Sequence, residues 1–384
     1  MRTIETENRV CDLCGGNDVE EIWSYQIKQK TKNSISLWNV RNVICRFCGF
    51  GFVSPCPTQE SLGEHYRDSF ELSNSLKPDY SIEKRIHLIK KYAGTSGQSS
   101  YLEVGSNNCP KFTDSLKRIV RNISTLEINE SCESSYNDVK NIPEKSADII
   151  AAYFVFEHVP NPIELLGSYR NILSDNGVLI IEVPNLLIYP RDPAGLDLCE
   201  HVNHFSPYTL ARIAENCGYE MIESSQSHCS RPFGFVSVFR KSESREVAAK
   251  KNKVEFLIGK TCMLEGAQML KNLTIKQEKA RRKIMELNIA GKTVIVWAAN
   301  WYCMRLIEGF ELPQTAVIVD SDARKKDYFP GITVYEPSKV LEKIRLAEFL
   351  IINTPFYASE IKDWIKENTG KVFSEENLMI MDYY

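Results

Sequence analysis

Two Cys-x-x-Cys pairs, Cys11/Cys14 and Cys45/Cys48, lie 30 residues apart and constrain this chain more tightly than any other feature. A C-x-x-C turn sets two thiolates about one edge of a zinc–sulfur tetrahedron apart, and two such turns close a four-sulfur site. Gly15 and Gly49 each follow the second cysteine of a pair, where glycine lets the turn tighten and its amides point at sulfur. Reduced structural thiols and a redox pair are the other readings. A redox motif needs no doubled copy, and the βαβ context of a thioredoxin fold is missing here. The spacing therefore predicts a structural Zn2+ held by Cys11, Cys14, Cys45 and Cys48. A closed four-sulfur site has no open position, so it folds its module rather than doing chemistry. The flanking pieces VEEIWSY, ISLWNVRNVI and GFGFVSP are β-prone, and the zinc-binding module is expected over 1–60.

The other eight of the 12 cysteines are scattered singly, as expected of thiols in a reducing compartment. Apolar residues at 43% and charged residues at 25% describe a folded chain, and 384 residues suit two or three domains. A net charge of −3 with no long basic stretch argues against a nucleic-acid partner held by phosphate neutralisation. No apolar run reaches the roughly 18–20 residues of a membrane span, and MRTIETENRV lacks a signal-peptide core. A cytoplasmic protein is expected, a monomer or weak homo-oligomer, with a small-molecule substrate and neither membrane nor nucleic acid as partner.

A helical connector is expected over 61–95, where SIEKRIHLIKKY opens on a serine cap. Residues 96–242 then alternate. YLEVG (101–105), ISTLEIN (123–129), ADIIAAYFVF (147–156) and GVLIIEVPN (177–185) read as strands. PKFTDSLKRIV, PIELLGSYRNIL (162–173) and SPYTLARIAENCG (206–218) read as helices. YEMIESS and FGFVSVFRK are close enough to pair antiparallel. Such alternation predicts an α/β fold with a mostly parallel, Rossmann-type sheet. Residues 243–290 contain no proline and many Lys, Glu and Arg, and read as one or two bridging helices ended by Asn288 and Gly291. Residues 291–384 alternate again as a second, smaller α/β unit. Its first turn, Ala298-Ala299-Asn300-Trp301, lacks a G-x-G-x-x-G, and Trp301 would block a pyrophosphate. The unit therefore reads as a substrate-clamping or scaffold domain, with Asp320 and Asp322 as loop caps.

LEVGSNN ends a strand on an acid followed by glycine, a turn that lets a ligand approach the backbone at the carboxyl ends of strands. Glu127 stands at the tip of the next strand, where an acid can accept bonds from ribose hydroxyls. Three further segments follow in order: DIIAAYFVFEHVPNP, NILSDNGVLIIEVPN and EHVNHFSPYTLARIAENCGYEMI. Together they resemble class I S-adenosylmethionine-dependent methyltransferases. With the leading four-cysteine module, CGFGFVSPCPTQESLGEHY and the trailing DSDARKKDYFPGITVYEP, the whole chain looks like the three-part sugar C-methyltransferases of deoxysugar pathways.

The resemblance implies S-adenosylmethionine as cofactor. Glu103, Gly105, Ser106 and Asn107 would face its methionine part, Glu127 its ribose and Asp138 its adenine amine. Tyr153 to Phe156 would lie beside the sulfonium. A nucleotide-linked sugar would sit between the middle and C-terminal domains. Two departures stand out. Asn108-Cys109-Pro110 replaces a usual second glycine, and only 20 residues separate Glu127 from Asp148, where the family holds a full helix and strand. For a carbon acceptor beside a ketone, a base must remove a C–H proton and an enolate must be stabilised. The resemblance implies that Glu200-His201, in the loop after strand five, supplies this chemistry, with His201 as base. His204 is expected as a substrate contact, His158 as a residue lining the cofactor cleft, and Tyr66 and Tyr80 as connector residues reaching the substrate. An O- or N-methyltransferase, or a non-catalytic binding protein built on the same scaffold, are the alternatives.

Overall fold

The computed structural model describes residues 2–30, 35–64, 81–94, 97–105, 109–128, 133–243, 251–329 and 331–382. The expected positions Tyr66, Tyr80, Ser106 and Asn107 lie outside them. Among the described residues, no helix is long and apolar enough to cross a membrane.

Each cysteine pair sits on a turn closed by its glycine. Gly15 N–H donates to the Cys11 carbonyl at 2.7 Å and Gly49 N–H to the Cys45 carbonyl at 3.0 Å, with φ of +70° and +80°. Between the turns, Val19–Lys30 and Ile35–Cys45 form an antiparallel hairpin, and Gly51–Val53 adds to its second strand. A distant piece, Asn203–His204, extends this sheet by pairing antiparallel with Gly51–Val53. The N-terminal sheet is thus completed by the very loop expected to carry the base.

The central sheet contains β1 (Ser100–Val104), β2 (Asn122–Leu126), β3 (Ala147–Tyr153), β4 (Leu173–Pro184), β5 (Tyr219–Ser225) and β6 (Gly234–Lys241). Their spatial order is β5-β6-β4-β3-β1-β2, and β6 runs antiparallel to both neighbours. The central strands are buried on both faces, which explains the near-continuous apolar run of ADIIAAY. On one face Tyr101, Ile149 and Ile180 pack against helices α1 (Ile82–Ala93) and α2 (Pro110–Leu116). On the other, Leu102, Ile150 and Leu179 pack with α3 (Pro162–Ile172), α4 (Pro207–Asn216) and the cysteine module itself. Helix starts follow local chemistry. Ser81 and Asn161 cap α1 and α3, and Ser206 with Thr209 builds a capping box on α4. The short 127–148 segment leaves its mark: Tyr136 makes only an isolated parallel bridge with Leu126, and no named strand lies between β2 and β3 among the described residues.

The bridging region is one helix, α5 (Lys253–Ile289), of 37 residues and about 55 Å. Its buried stripe joins three units in one apolar cluster: Ile44 of the hairpin, Leu186 and Tyr189 after β4, and Val294 and Ile351 of the C-terminal sheet. Gly291, at φ +67°, follows its end as expected, whereas Asn288 lies inside the last turn. The C-terminal sheet is wholly parallel, with Val294–Trp297 at its centre between Ala316–Val319 and Phe349–Ile352. Asp320 accepts from the Ala299 and Asp322 amides and from Lys325, and Asp322 caps Arg324, so both acids are loop caps.

Gly49 bears two constraints at once. Its φ is +80°, and an added Cβ would lie 2.7 Å from backbone atoms of Glu255 and Phe256 in the first turn of α5. Gly49→Ala is expected to destabilise the N-terminal sheet by roughly 2–4 kcal/mol, from backbone strain plus the clash. Gly63→Ala, where a Cβ meets nothing within 4 Å, is the control. Thermal unfolding of the two variants beside the parent checks this.

Candidate active site at the tips of the central sheet

Strand β3 ends abruptly. Phe154 adopts φ +58°, rare for an aromatic residue, and donates its N–H to the Glu182 carbonyl at 2.8 Å. Such strain, of order 1–3 kcal/mol, persists where surrounding contacts over-determine it, and it clusters at functional sites. The kink carries Phe156–His158 into a short 3-10 turn beyond the carboxyl ends of the parallel strands, where open α/β sheets bind ligands.

The loop after β4 is brought against this turn by Asn203. Its side-chain amide donates to the Phe156 carbonyl at 2.7 Å and the Val159 carbonyl at 2.8 Å. Its Oδ1 accepts from Arg9 at 2.7 Å, and Arg9 also donates to the Val202 carbonyl. Val53 N–H donates to the same carbonyl at 3.0 Å. The cysteine module thereby holds the loop in place. As a result the His158 and His201 rings meet edge to face, centroids 4.8 Å apart. One ligand-type atom from each of Glu157, His158 and His201 lies within 4.8 Å of the others. Glu157 Oε2 and His201 Nδ1 are buried without a hydrogen-bond partner.

Burial controls the charge here. It pushes the Glu157 carboxyl up to about 8, with the Arg231 guanidinium opposing. It pulls His158 down, and it pulls His201 well below the usual imidazole range, helped by the other two histidines. Both imidazoles are therefore neutral at pH 7. Beside this cluster lies a buried ion pair. Arg85 of α1 donates twice to Glu182 Oε2, at 3.1 and 3.0 Å, and its guanidinium lies 3.8 Å from the Tyr153 ring centroid. Ser230 completes the Glu182 shell through its N–H and hydroxyl.

The expected cofactor residues divide. Glu103 is 8% exposed at the tip of β1, and burial pushes its carboxyl up to about 7 against the pull of Arg85. A buried carboxylate of this kind suits an ammonium group. Gly105 follows at φ +68°, with Val155 only 2.7 Å from where a Cβ would stand, so this turn admits glycine alone. Glu127 is half-buried at the tip of β2. These three could hold the ammonium and ribose groups of a cofactor at the strand tips. Asp138 is exposed and spends a carboxylate oxygen capping Lys140 N–H. Tyr153 is buried beneath Arg85, its hydroxyl 3.5 Å from that of Tyr101. Phe156 is fully buried, edge-on to Tyr169, so its ring belongs to the core.

His204 is a correction. It is 1% exposed, its Nε2 donates to Asn42 Oδ1 at 2.7 Å, and its Nδ1 accepts from the Tyr189 hydroxyl at 2.8 Å. Both nitrogens are spent inside the protein, which leaves none for a substrate. Glu200 acts through its backbone: its carbonyl accepts from His158 Nδ1 at 3.1 Å, so it orients His158. Sequence reasoning missed Glu157, Asn203, Arg85 and Arg231 as parts of the site. The Glu-His dipeptide, which recurs at 64–65, 157–158 and 200–201, was the available signal for the first.

The four cysteines converge as their spacing predicts. Cys11 and Cys48 sulfurs are 3.4 Å apart, and Cys14 and Cys45 sulfurs 3.5 Å. A tetrahedron with 2.3 Å Zn–S bonds has edges of about 3.8 Å, so the cluster could hold zinc with a small expansion.

Residues 77–224 match the family model of a methyltransferase domain. Compared with curated protein sequences, the chain finds no match. It is similar to the solved structure of the Burkholderia thailandensis 1,6-didemethyltoxoflavin-N1-methyltransferase with bound 1,6-didemethyltoxoflavin and S-adenosylhomocysteine, at 12% identity and a TM-score of 0.40, covering 50% of this chain and 96% of that one. It is also similar to a SAM-dependent methyltransferase from Aquifex aeolicus, at 14% identity and a TM-score of 0.35, covering 45% of this chain and 97% of that one.

Two outcomes follow from the geometry. Asn203→Ala leaves the Val159 carbonyl without this donor, at about 1–3 kcal/mol, while the Phe156 carbonyl keeps only the long bond from Val159 N–H. Faster hydrogen exchange over 156–159 is expected, with cofactor affinity unchanged. For Glu103, the folded carboxyl lies above its unfolded value of 4.5, so its cost is absent below pH 4.5 and complete above pH 7. Glu103→Gln should therefore stabilise the protein by about 1–3 kcal/mol at pH 8, with the gain vanishing toward pH 4. S-adenosylhomocysteine should bind the parent less tightly as pH falls through 7, and calorimetry across this range checks both trends.

Proposed function

We propose that this S-adenosylmethionine-dependent methyltransferase acts on a nucleotide-linked deoxysugar, at a carbon next to a keto group, with His201 as the base. The observation that carries the reading is the His201 Nδ1 atom, buried and unpartnered beside Glu157 and His158 just beyond the tip of β3. The order of motifs along the whole chain supports the substrate class.

S-adenosylmethionine, when bound, supplies an electrophilic methyl group on a neutral leaving group. The work of the protein is to position the acceptor and remove its proton. Glu103, Gly105 and Glu127 would hold the cofactor at the tips of β1 and β2. His201, kept neutral by burial, presents a lone pair for the C–H proton. The edge of the His158 ring sets its plane, and the Glu200 carbonyl fixes His158 in turn. Arg231 supplies the positive charge for the developing enolate. Its guanidinium stands 4.7 Å from the Phe154 ring centroid, and its Nε is buried without a partner. Water-poor surroundings strengthen that charge. The four-cysteine cluster takes a structural Zn2+, and through Arg9 and Val53 it keeps the base in register with β3.

His201→Ala should lower methyl transfer at least about 100-fold with cofactor binding intact by calorimetry. In heavy water without methyl donor, the parent should exchange the hydrogen beside the ketone of a keto-deoxysugar nucleotide, and the variant should not. A product whose new methyl sits on oxygen by proton NMR would replace the carbon-acceptor reading.

A further inference from the structure

The Glu157–His158–His201 cluster has the composition of a metal site as well as of an acid–base site. Two elements supply it: the turn after β3 gives adjacent Glu157 and His158, and the loop after β4 gives His201. The ligand-type atoms lie within 4.8 Å of one another, the separation that a single ion can span. Glu157 is 1% exposed and His201 is 7% exposed. Glu157 Oε2 and His201 Nδ1 have no hydrogen-bond partner, although buried polar atoms are ordinarily paired.

The surroundings match those of metal-binding histidines, whose second nitrogen donates to a carbonyl or carboxylate and fixes the tautomer. His158 Nδ1 donates to the Glu200 carbonyl at 3.1 Å, and its Nε2 lies 3.7 Å from Glu157 Oε1. His201 bonds the backbone of Gly195. Because its Nδ1 is unpartnered, that bond belongs to Nε2, and Nδ1 is the nitrogen left open to a cation. Two imidazoles and one carboxylate on one side of an ion leave its remaining positions open. This donor set selects borderline divalent ions such as Zn2+, Co2+, Ni2+ or Fe2+ over Mg2+ or Ca2+.

We propose that Glu157, His158 and His201 form a second metal site, for a borderline divalent cation, whose occupation blocks methyl transfer by capturing the lone pair of His201. The site rests on geometry alone, whereas its inhibitory effect rests on His201 being the base. Arg231 sets a positive charge near Glu157 and His201, which weakens cation binding. The site is therefore weaker than the four-cysteine cluster and fills reversibly.

The test uses full-length protein already carrying zinc on its four cysteines, titrated with Co2+. One further equivalent per chain is expected, with d–d absorption but without the sulfur-to-cobalt charge transfer of a thiolate site. His158→Ala and the near-isosteric Glu157→Gln should each lose that equivalent while keeping the tightly held zinc. A parent that takes up no further ion up to millimolar Co2+ overturns the proposal, as does an equivalent that persists in both variants. Turnover of the parent should fall at least about tenfold as the second equivalent fills. If the ion binds and turnover is unaffected or rises, the inhibitory role fails, and with it His201 as base, while the metal site stands.

Discussion

One side-chain amide holds the two halves of the site together. Asn203 donates to two carbonyls of the turn beyond β3, and its own oxygen is held by Arg9 of the cysteine module. Its backbone sits in a strand that completes the N-terminal sheet. A buried amide with both ends engaged allows little sliding, because any displacement strands polar groups out of reach of water. The distance between His158 and His201 is therefore set by Asn203 together with the Glu200 carbonyl that holds the His158 ring. The cysteine module, remote from both histidines in sequence, thereby helps to fix their separation.

Burial does the rest. The same exclusion of water that raises Glu157 and Glu103 lowers His158 and His201, so acids and bases meet at neutral pH largely without charge. One full charge that remains, that of Arg85, is paired with Glu182, which Ser230 also holds. That pair also anchors α1 across the sheet, next to the carboxyl ends of β1 and β3. The left-handed Phe154 shows how closely chain direction is controlled there. Two residues further on, the backbone delivers Glu157 inward and leaves Phe156 in the core.

Much of this is legible in the sequence. The period of the apolar residues named the strands and helices of the central sheet, since two-sided burial writes continuous apolar runs such as ADIIAAY. The doubled C-x-x-C spacing named the cluster. The missing residues after Glu127 announced the reduction of a strand to a single bridge at Tyr136. The histidines were harder. His201 and His204 are three residues apart in one loop and look equivalent in sequence. One has both nitrogens occupied by Asn42 and Tyr189, and the other has one left open. Nothing local separates them.

The chain's own pattern determined its element order, the four-cysteine cluster and the glycines at its tight turns, because those depend on patterns written along the backbone. Tertiary structure alone decided which imidazole keeps a lone pair and which carboxyl stays protonated. Those outcomes depend on water exclusion and on partners such as Arg9, Asn42 and Gly195, and only the folded crossing of the cysteine module over the loop after β4 brings such groups within hydrogen-bond reach.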